Sequence, residues 1–289
     1  MSDAVLVTGA FGLVGSATVK HLAAHGRHVV ATDLDTPATR KAAAKLPSGV
    51  QVRWADLTDP AAVDALLREV SPAAVIHLAA VIPPLCYAKP QLARKVNVEA
   101  TANLVKAAEA QPKPPRLVQA SSIAVYGPRN PHRITDVLTA ETPVNPYDNY
   151  GKHKVEAEAI VRGSTLDWVI LRLGGVLTVE PNLGMDPNLI FFEGVLPTDE
   201  RLQTVDVRDV AHAFVAATTS NSPVMKRFWT SLRKSPESPA WYQPARHPAA
   251  PARRVHRPAA RQGAARDLHP GREAAPRGAR PHAAVRPAG

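Results

Sequence analysis

The chain has 289 residues, a formal net charge of +10, a single cysteine and 28 prolines. The charge is divided unevenly: residues 1–222 hold 21 basic and 22 acidic side chains, whereas residues 223–289 hold 14 and 3. These numbers exclude an intrachain disulfide scaffold and a bilayer span, since no apolar run reaches the roughly 20 residues required, and they deny the basic pI of the whole chain any bearing on the fold of its first 222 residues.

Met-Ser-Asp leads at once into a strand-like run, without the basic and long apolar regions of a secretory signal, so a cytoplasmic protein is expected. The run AVLVTG at 4–9 reads as a short buried strand ending in glycine. Residues 13–25 have helical spacing, with Val14, Ala17, Thr18, His21 and Leu22 on one face. A second strand is predicted at 28–32, ending at Asp33, and a third at 50–54, leading to Asp56 and Leu57. A helix with proline at its start follows at 60–70, then a fourth strand at 73–78. Residues 89–110 form one long Ala-rich helical pattern, broken by Pro112, Pro114 and Pro115. A fifth strand at 117–121, a helix at 147–163 and a sixth strand at 168–173 complete the alternation. The stretch 178–205 is irregular, and a helix-like segment follows at 207–219.

The strands are continuous apolar runs, as in strands covered on both faces. With alternating helices they predict an α/β fold: a doubly wound, Rossmann-type parallel sheet in residues 1–222. Residues 176–205 form only a reduced substrate lobe. Residues 223–289 contain 12 of the 24 arginines and five Val, Ile or Leu, too few to offset the entropy of ordering, so a disordered basic tail is expected.

Thr8-Gly9-Ala10-Phe11-Gly12-Leu13-Val14-Gly15 stands where a strand becomes a helix. Glycines there permit a tight turn and let backbone N–H groups approach a pyrophosphate, although the spacing is GxxGxxG rather than GxGxxG. Asp33 ends the next strand, where an acid holds an adenosine ribose and repels a 2′-phosphate; its plainer reading is a helix N-cap or loop acid. Arg40 is a candidate phosphate ligand, yet it lies farther along and reads as helix surface. Tyr150 and Lys154 are four apart and share a helix face, so the ammonium is expected to lower the phenol from its ordinary value near 10. Ser122 ends strand five, where α/β sheets bind ligands, and alternatively caps the segment that follows.

As a set, TGAFGLVG, Asp33, Asp56-Leu57, His77-Leu78-Ala79-Ala80, Asn97, Ser121-Ser122 with Val125-Tyr126-Gly127, Pro146 with Tyr150 and Lys154, Arg172 and the run 205–210 resemble the extended short-chain dehydrogenase/reductase family, in its NAD-dependent epimerase/dehydratase branch. The resemblance spans roughly residues 3–220. It implies that Gly9, Gly12, Leu13, Val14 and Gly15 cradle the dinucleotide, that Asp33 holds its ribose and that Asp56 and Leu57 border its adenine. Leu78, Ala79 and Ala80 would line the cofactor, Asn97 would support the site and Leu173 would pass beside the nicotinamide. Ser122 would orient the reacting oxygen, Tyr150 would transfer its proton, and Lys154 would bind the nicotinamide ribose. The implied cofactor is NAD, with NADP less favoured because of Asp33. The implied reaction is oxidation or epimerisation at a hydroxyl or keto group of a sugar nucleotide, hydroxysteroid-like or similar small substrate. By analogy alone, the helices at 89–110 and 147–163 would form a homodimer interface.

Other features have plainer readings. His77 is a structural histidine with no metal partner, Cys86 a loop thiol, and Trp54 core or cofactor-edge packing. The tail is open to two readings: an altered reading frame, or a selected basic segment that contacts nucleic acid non-specifically. Two functions compete with the enzyme: a catalytically impaired dinucleotide-binding protein without a complete substrate lobe, and a nucleic-acid interactor acting through the tail.

Overall fold

The structure, a computed structural model, describes residues 3–129, 134, 136–178 and 203–219. Most of the reduced lobe (179–202) and the whole 223–289 tail lie outside the described residues.

Six parallel strands form the central sheet: β1 (Val5–Thr8), β2 (Val29–Asp33), β3 (Gln51–Trp54), β4 (Ala74–His77), β5 (Arg116–Ser122) and β6 (Trp168–Leu173), in the order β3-β2-β1-β4-β5-β6. The register sets Thr8 beside both Thr32 and His77, so the strands deliver their carboxyl ends to one edge. The order reverses between β1 and β4, which opens a crevice at that edge. Successive strand residues face opposite layers. Leu6, Val75 and Leu117 pack with helices α3 (Pro60–Val70), α6 (Ala100–Glu109) and α7 (Asn149–Arg162). Val5, Val7, Ile76 and Val118 pack with α1 (Leu13–Ala24) and α8 (Val207–Ala217), where Phe214 is fully buried. Both faces being covered explains the unbroken apolar runs; β3, at the sheet edge, is only partly buried.

Four expectations change. Helix α1 buries Gly15, Thr18, Val19 and Leu22 rather than the face with Val14, Ala17 and His21. Val14 turns to the crevice instead, and His21 meets His212 of α8, with ring centroids 5.5 Å apart. The helix read at 89–110 runs unbroken over 90–109, but its α segments α5 (Pro90–Arg94) and α6 flank a wide π turn over Lys95–Glu99, with a short α4 (Leu85–Ala88) just before them. The wide turn aims Asn97 inward, where its amide donates to Val81 O (2.9 Å) and accepts from Val81 N (2.7 Å). Helix α2 (Pro37–Ala43) was not expected; a reciprocal capping box between Thr36 and Thr39 starts it, and it buries no residue. Finally, β7 (Gly175–Leu177), just before the stretch read as irregular, and β8 (Thr204–Asp206), at its end, form a separate parallel pair whose three-residue strands are too short to show a period. No helix among the described residues is long and apolar enough to cross a membrane.

Candidate functional site

A cavity of about 700 Å³ opens at the crevice. One wall is the β1–α1 turn, contributed by Gly9, Gly12, Leu13, Val14 and Gly15. Two of these glycines are enforced by close approach. A Cβ on Gly9, which has φ +63°, would meet Ala79 N at 2.7 Å, and one on Gly15 would meet Gly9 O at 2.1 Å. Gly12 is different, because a Cβ there would meet only Gly9 O, at 3.6 Å. It is the N-cap of α1, no side chain caps that helix, and the first turn carries no acid. The first-turn N–H groups and the positive end of the helix dipole therefore face the cavity, a donor set matched to a phosphate anion.

The rest of the wall comes from the strand ends. Leu78 and Ala80 follow β4, Leu173 ends β6, and Ser122, Tyr150 and Lys154 meet at the far side. Five of the expected site residues lie off this wall. Ala79 backs Gly9, its N–H donating to Thr8 Oγ1 (3.3 Å). Asp33 accepts from Leu34 N (2.9 Å) and from Phe11 N (3.4 Å) at the mouth of the turn, and burial pushes its carboxyl up. Asp56 closes its own turn by accepting from Thr58 N and Oγ1, both at 2.8 Å, while Leu57 is buried in the core. Asn97 is held behind the wall by Val81.

At the far side, Asp148 caps α7 by accepting from Gly151 N (2.6 Å), which sets the turn carrying Tyr150. Lys154, one turn on, is buried and donates to Ala120 O (3.0 Å), with its ammonium 5.6 Å from the Tyr150 ring centroid. The phenol lies near Ser122, whose hydroxyl accepts from Ala124 N (3.1 Å), the capping reading of this serine. The expected lowering of Tyr150 is overturned. Burial pushes the phenol up to about 12, outweighing the neighbouring Ser122 hydroxyl, because Lys154 stands over the ring and donates to Ala120 instead. Burial likewise pulls Lys154 down to about 8, against the pull of Glu158.

Behind these groups lies a network that sequence reading missed. Glu158, one further turn along α7, accepts from Ser121 Oγ (2.7 Å), from Arg172 Nε (2.8 Å) and from Arg172 Nη2 (2.6 Å). Arg172 also donates to Tyr126 (2.7 Å). The i, i+4 spacing from Lys154 to Glu158 was the available signal. Asp148 was visible by the helix-start rule. Cys86 is not a loop thiol: it is buried on α4 near Tyr150 and Asp148, and burial raises it. His77 is structural, held between Thr8 Oγ1 (2.7 Å) and Thr101 Oγ1 (3.2 Å) and pulled down to about 3 by burial.

The family model described as "NAD dependent epimerase/dehydratase family" matches residues 5–182, which include the glycine turn and the Tyr150–Lys154 helix. The chain belongs to this family. Its cofactor is accordingly NAD, and the uncapped helix start and the glycine cradle fit a dinucleotide. Among solved structures, the chain is similar to the UDP-glucose 4-epimerase of Thermus thermophilus in complex with NAD, with a TM-score of 0.64, 29% identity and coverage of 75% of each chain. Among curated proteins it is 32% identical over 169 residues to methionine adenosyltransferase 2 subunit beta of Xenopus tropicalis, covering 58% of this chain and 45% of that one. It is also 31% identical over 194 residues to the probable UDP-arabinose 4-epimerase 3 of Arabidopsis thaliana, covering 61% and 44%. The chain thus spans about half the length of these curated relatives.

Proposed function

We propose that the chain is an NAD-dependent epimerase/dehydratase or dehydrogenase acting on a hydroxyl or keto group of a sugar nucleotide or similar small substrate. The observation that carries this reading is the meeting of Ser122, Tyr150 and Lys154 on the same cavity wall as the uncapped glycine turn. Leu13 and Val14 would hold the pyrophosphate through backbone N–H groups, with Gly12 leaving room for it, and Asp33 the adenosine ribose, while Lys154 would hold the ribose at the far end. Bound NAD supplies a hydride acceptor, and in its reduced form a donor. The chain's own contribution is proton handling at one atom, the Tyr150 oxygen. With its phenol raised to about 12, Tyr150 carries its proton at neutral pH and is set to give it to a substrate carbonyl oxygen as that carbon is reduced. In the opposite direction the substrate hydroxyl would give its proton to the Tyr150 oxygen in its ionised form, with Lys154 as the cation beside it. Ser122, beside the phenol, would orient the reacting oxygen, and the Glu158–Arg172 pair holds the strand ends behind it. The epimerase names of two relatives support the sugar-nucleotide class.

The test begins with thermal unfolding of the full chain with and without NAD. A ligand at 100 times its Kd adds about 2.7 kcal/mol, a rise of several degrees for a body of this size. Turnover of UDP-glucose and UDP-arabinose is then compared with that of Tyr150→Phe, which should lose roughly 10²–10⁴-fold in rate while keeping the NAD-induced rise. An NAD-induced rise without turnover of any hydroxy or keto substrate would favour a binding protein instead.

A further inference from the structure

The far wall of the cavity is held from behind. Ser122, Ile123, Ala124 and Gly127 reach it from the short 3-10 turn Ile123–Tyr126 that follows β5, and Tyr150 reaches it from the first turn of α7. Between them, residues 139–148 lie against the 3-10 turn as a strap. Asn145 N donates to Val125 O at 2.9 Å. Asn145 O stands so near Gly127, which has φ +66°, that a Cβ there would meet it at 2.1 Å. Thr139 O accepts from the buried Tyr126 hydroxyl at 2.8 Å. The strap then enters Asp148, the cap of α7, and a Cβ on Gly151 of that helix would meet Ala124 O at 2.6 Å. The strap therefore sets how the start of α7 meets the turn after β5. Its Tyr126 contact reaches the buried charge pair: Arg172 Nη1 donates to the Tyr126 oxygen at 2.7 Å, and the guanidinium lies 4.9 Å from the ring centroid. A guanidinium can only donate, so the phenol accepts from it and spends its single proton on Thr139 O. The other edge of the fork, Nε and Nη2, is engaged by Glu158.

We propose that Tyr126 is a positioning residue for the proton transfer at Tyr150: its hydroxyl fastens the 139–148 strap to the Glu158–Arg172 pair, and the strap holds the Tyr150 oxygen in place beside Ser122. This rests on the enzyme reading above and adds to it a residue that lies off the cavity wall. Without the hydroxyl, the ring still packs and still lies under the guanidinium. Thr139, however, is left to its local turn with Thr142, whose N donates to Thr139 O at 3.2 Å. Arg172 then has one buried donor without its acceptor. A misplacement of about 1 Å at a proton donor costs on the order of a hundredfold in rate. The loss is read in kcat rather than in cofactor affinity, because the glycine turn forms a different wall of the cavity.

The experiment compares the full-length wild type with Tyr126→Phe and with Thr142→Ala. The second is an exposed change that loosens Thr139 from outside, since Thr142 Oγ1 accepts from Thr139 N at 2.9 Å, and it serves if Tyr126→Phe does not fold. Three quantities are followed well below the unfolding temperature: amide exchange at Asn145 and Gly151, the NAD-induced rise in Tm, and kcat and KM for UDP-glucose and UDP-arabinose. In Tyr126→Phe, exchange at both amides should quicken roughly fivefold, the scale of one lost hydrogen bond. Its kcat should fall roughly ten- to a hundredfold, while the NAD-induced rise is kept. Thr142→Ala should move exchange and kcat in the same direction by less. A purely structural role would lower Tm and leave kcat unchanged, and that result in either variant overturns the proposal. Exchange no faster than in the wild type overturns it as well. A wild type that turns over no hydroxy or keto substrate overturns the enzyme reading and the positioning role with it, a failure told apart because it appears in the unsubstituted chain.

Discussion

At the β2–α2 corner, Asp35 and Arg40 pair in water, with side chains 43% and 63% exposed, on a helix that buries nothing. At the β5–β6–α7 corner, Glu158 and Arg172 pair with side chains 5% and 10% exposed, with Ser121 and the more exposed Arg162 also on Glu158 and Tyr126 on Arg172. Both are bidentate arginine–carboxylate pairs, but they have different consequences. The exposed pair contributes little to stability, because water screens it, so it can change partners with little effect on the fold. Removing one member of the buried pair is costly: Arg172 without Glu158 would be an uncompensated charge, and Glu158 without Arg172 would keep only the more distant Arg162, at 3.4 Å. One corner can therefore be altered with little effect on the fold, while the other ties β5, β6 and α7 together.

The largest effect that tests this contrast is loss of one buried partner. Arg172→Ala should destabilise the chain by about 3–5 kcal/mol, read as a shift of the urea unfolding midpoint, whereas Arg40→Ala should leave the midpoint where it is. Replacing both members of the buried pair by apolar residues of similar volume should recover part of the loss. A midpoint for Arg172→Ala equal to that of Arg40→Ala would erase the distinction between the corners.

Next in size is the glycine turn, where backbone rather than charge is packed. A Cβ at Gly15 would stand 2.1 Å from Gly9 O, so Gly15→Ala must move the turn, at a cost of about 1–3 kcal/mol. Gly12→Ala, with its 3.6 Å clearance, should be tolerated by the fold and read out in NAD affinity instead. Equal losses of stability in the two variants would show that the turn is not built on the Gly9–Gly15 approach.

A smaller effect appears in the pH dependence. Lys154 has its pKa pulled down to about 8 by burial, from an ordinary 10.5. Between those values the unfolded chain binds the proton and the native chain does not, so this group adds stability as pH rises through the window. Tyr150 acts in the opposite sense, since its raised pKa costs stability above pH 10, where the unfolded phenol ionises first. Between pH 8 and 10 the stability of the wild type should therefore climb relative to Lys154→Met, as followed by urea unfolding at several pH values. Parallel curves would mean that Lys154 titrates as if in water.

The legible parts of the molecule were those with long-range consequences in a short stretch of sequence. The parallel sheet was readable because strands buried on both faces must be apolar without a break. The glycine turn and the Tyr150–Lys154 spacing were readable because each lies within one turn of chain. Relations between distant residues were not readable. Glu158 and Arg172 are 14 apart on different elements, and although Arg172 and the Lys154–Glu158 spacing were each visible, nothing in the sequence joins the two. The failure on Tyr150 has the same source: spacing placed Lys154 on its face, but burial and the Ala120 carbonyl, which decide the direction of the shift, belong to the tertiary fold. Helix α2 was missed for the opposite reason, since a helix that buries no residue carries no hydrophobic period.

That helix offers the smallest test of the comparison. The start of α2 rests on the Thr36 capping box, with Thr36 Oγ1 accepting from Thr39 N at 3.2 Å and Thr39 Oγ1 accepting from Thr36 N at 2.9 Å, and no core contact backs it. Thr36→Ala removes one partner of that box, worth about 1 kcal/mol. Because α2 is joined to the core by so little, the loss should stay local: amide exchange in residues 37–43 should quicken about fivefold, the factor that corresponds to about 1 kcal/mol, with no change in global unfolding. The same cap loss at α7, through Asp148→Ala, should instead lower the global midpoint, because that helix is tied to the buried corner through Lys154 and Glu158. If both substitutions moved only local exchange, the buried network would not be transmitting its hold along α7, and the two corners would differ in exposure alone.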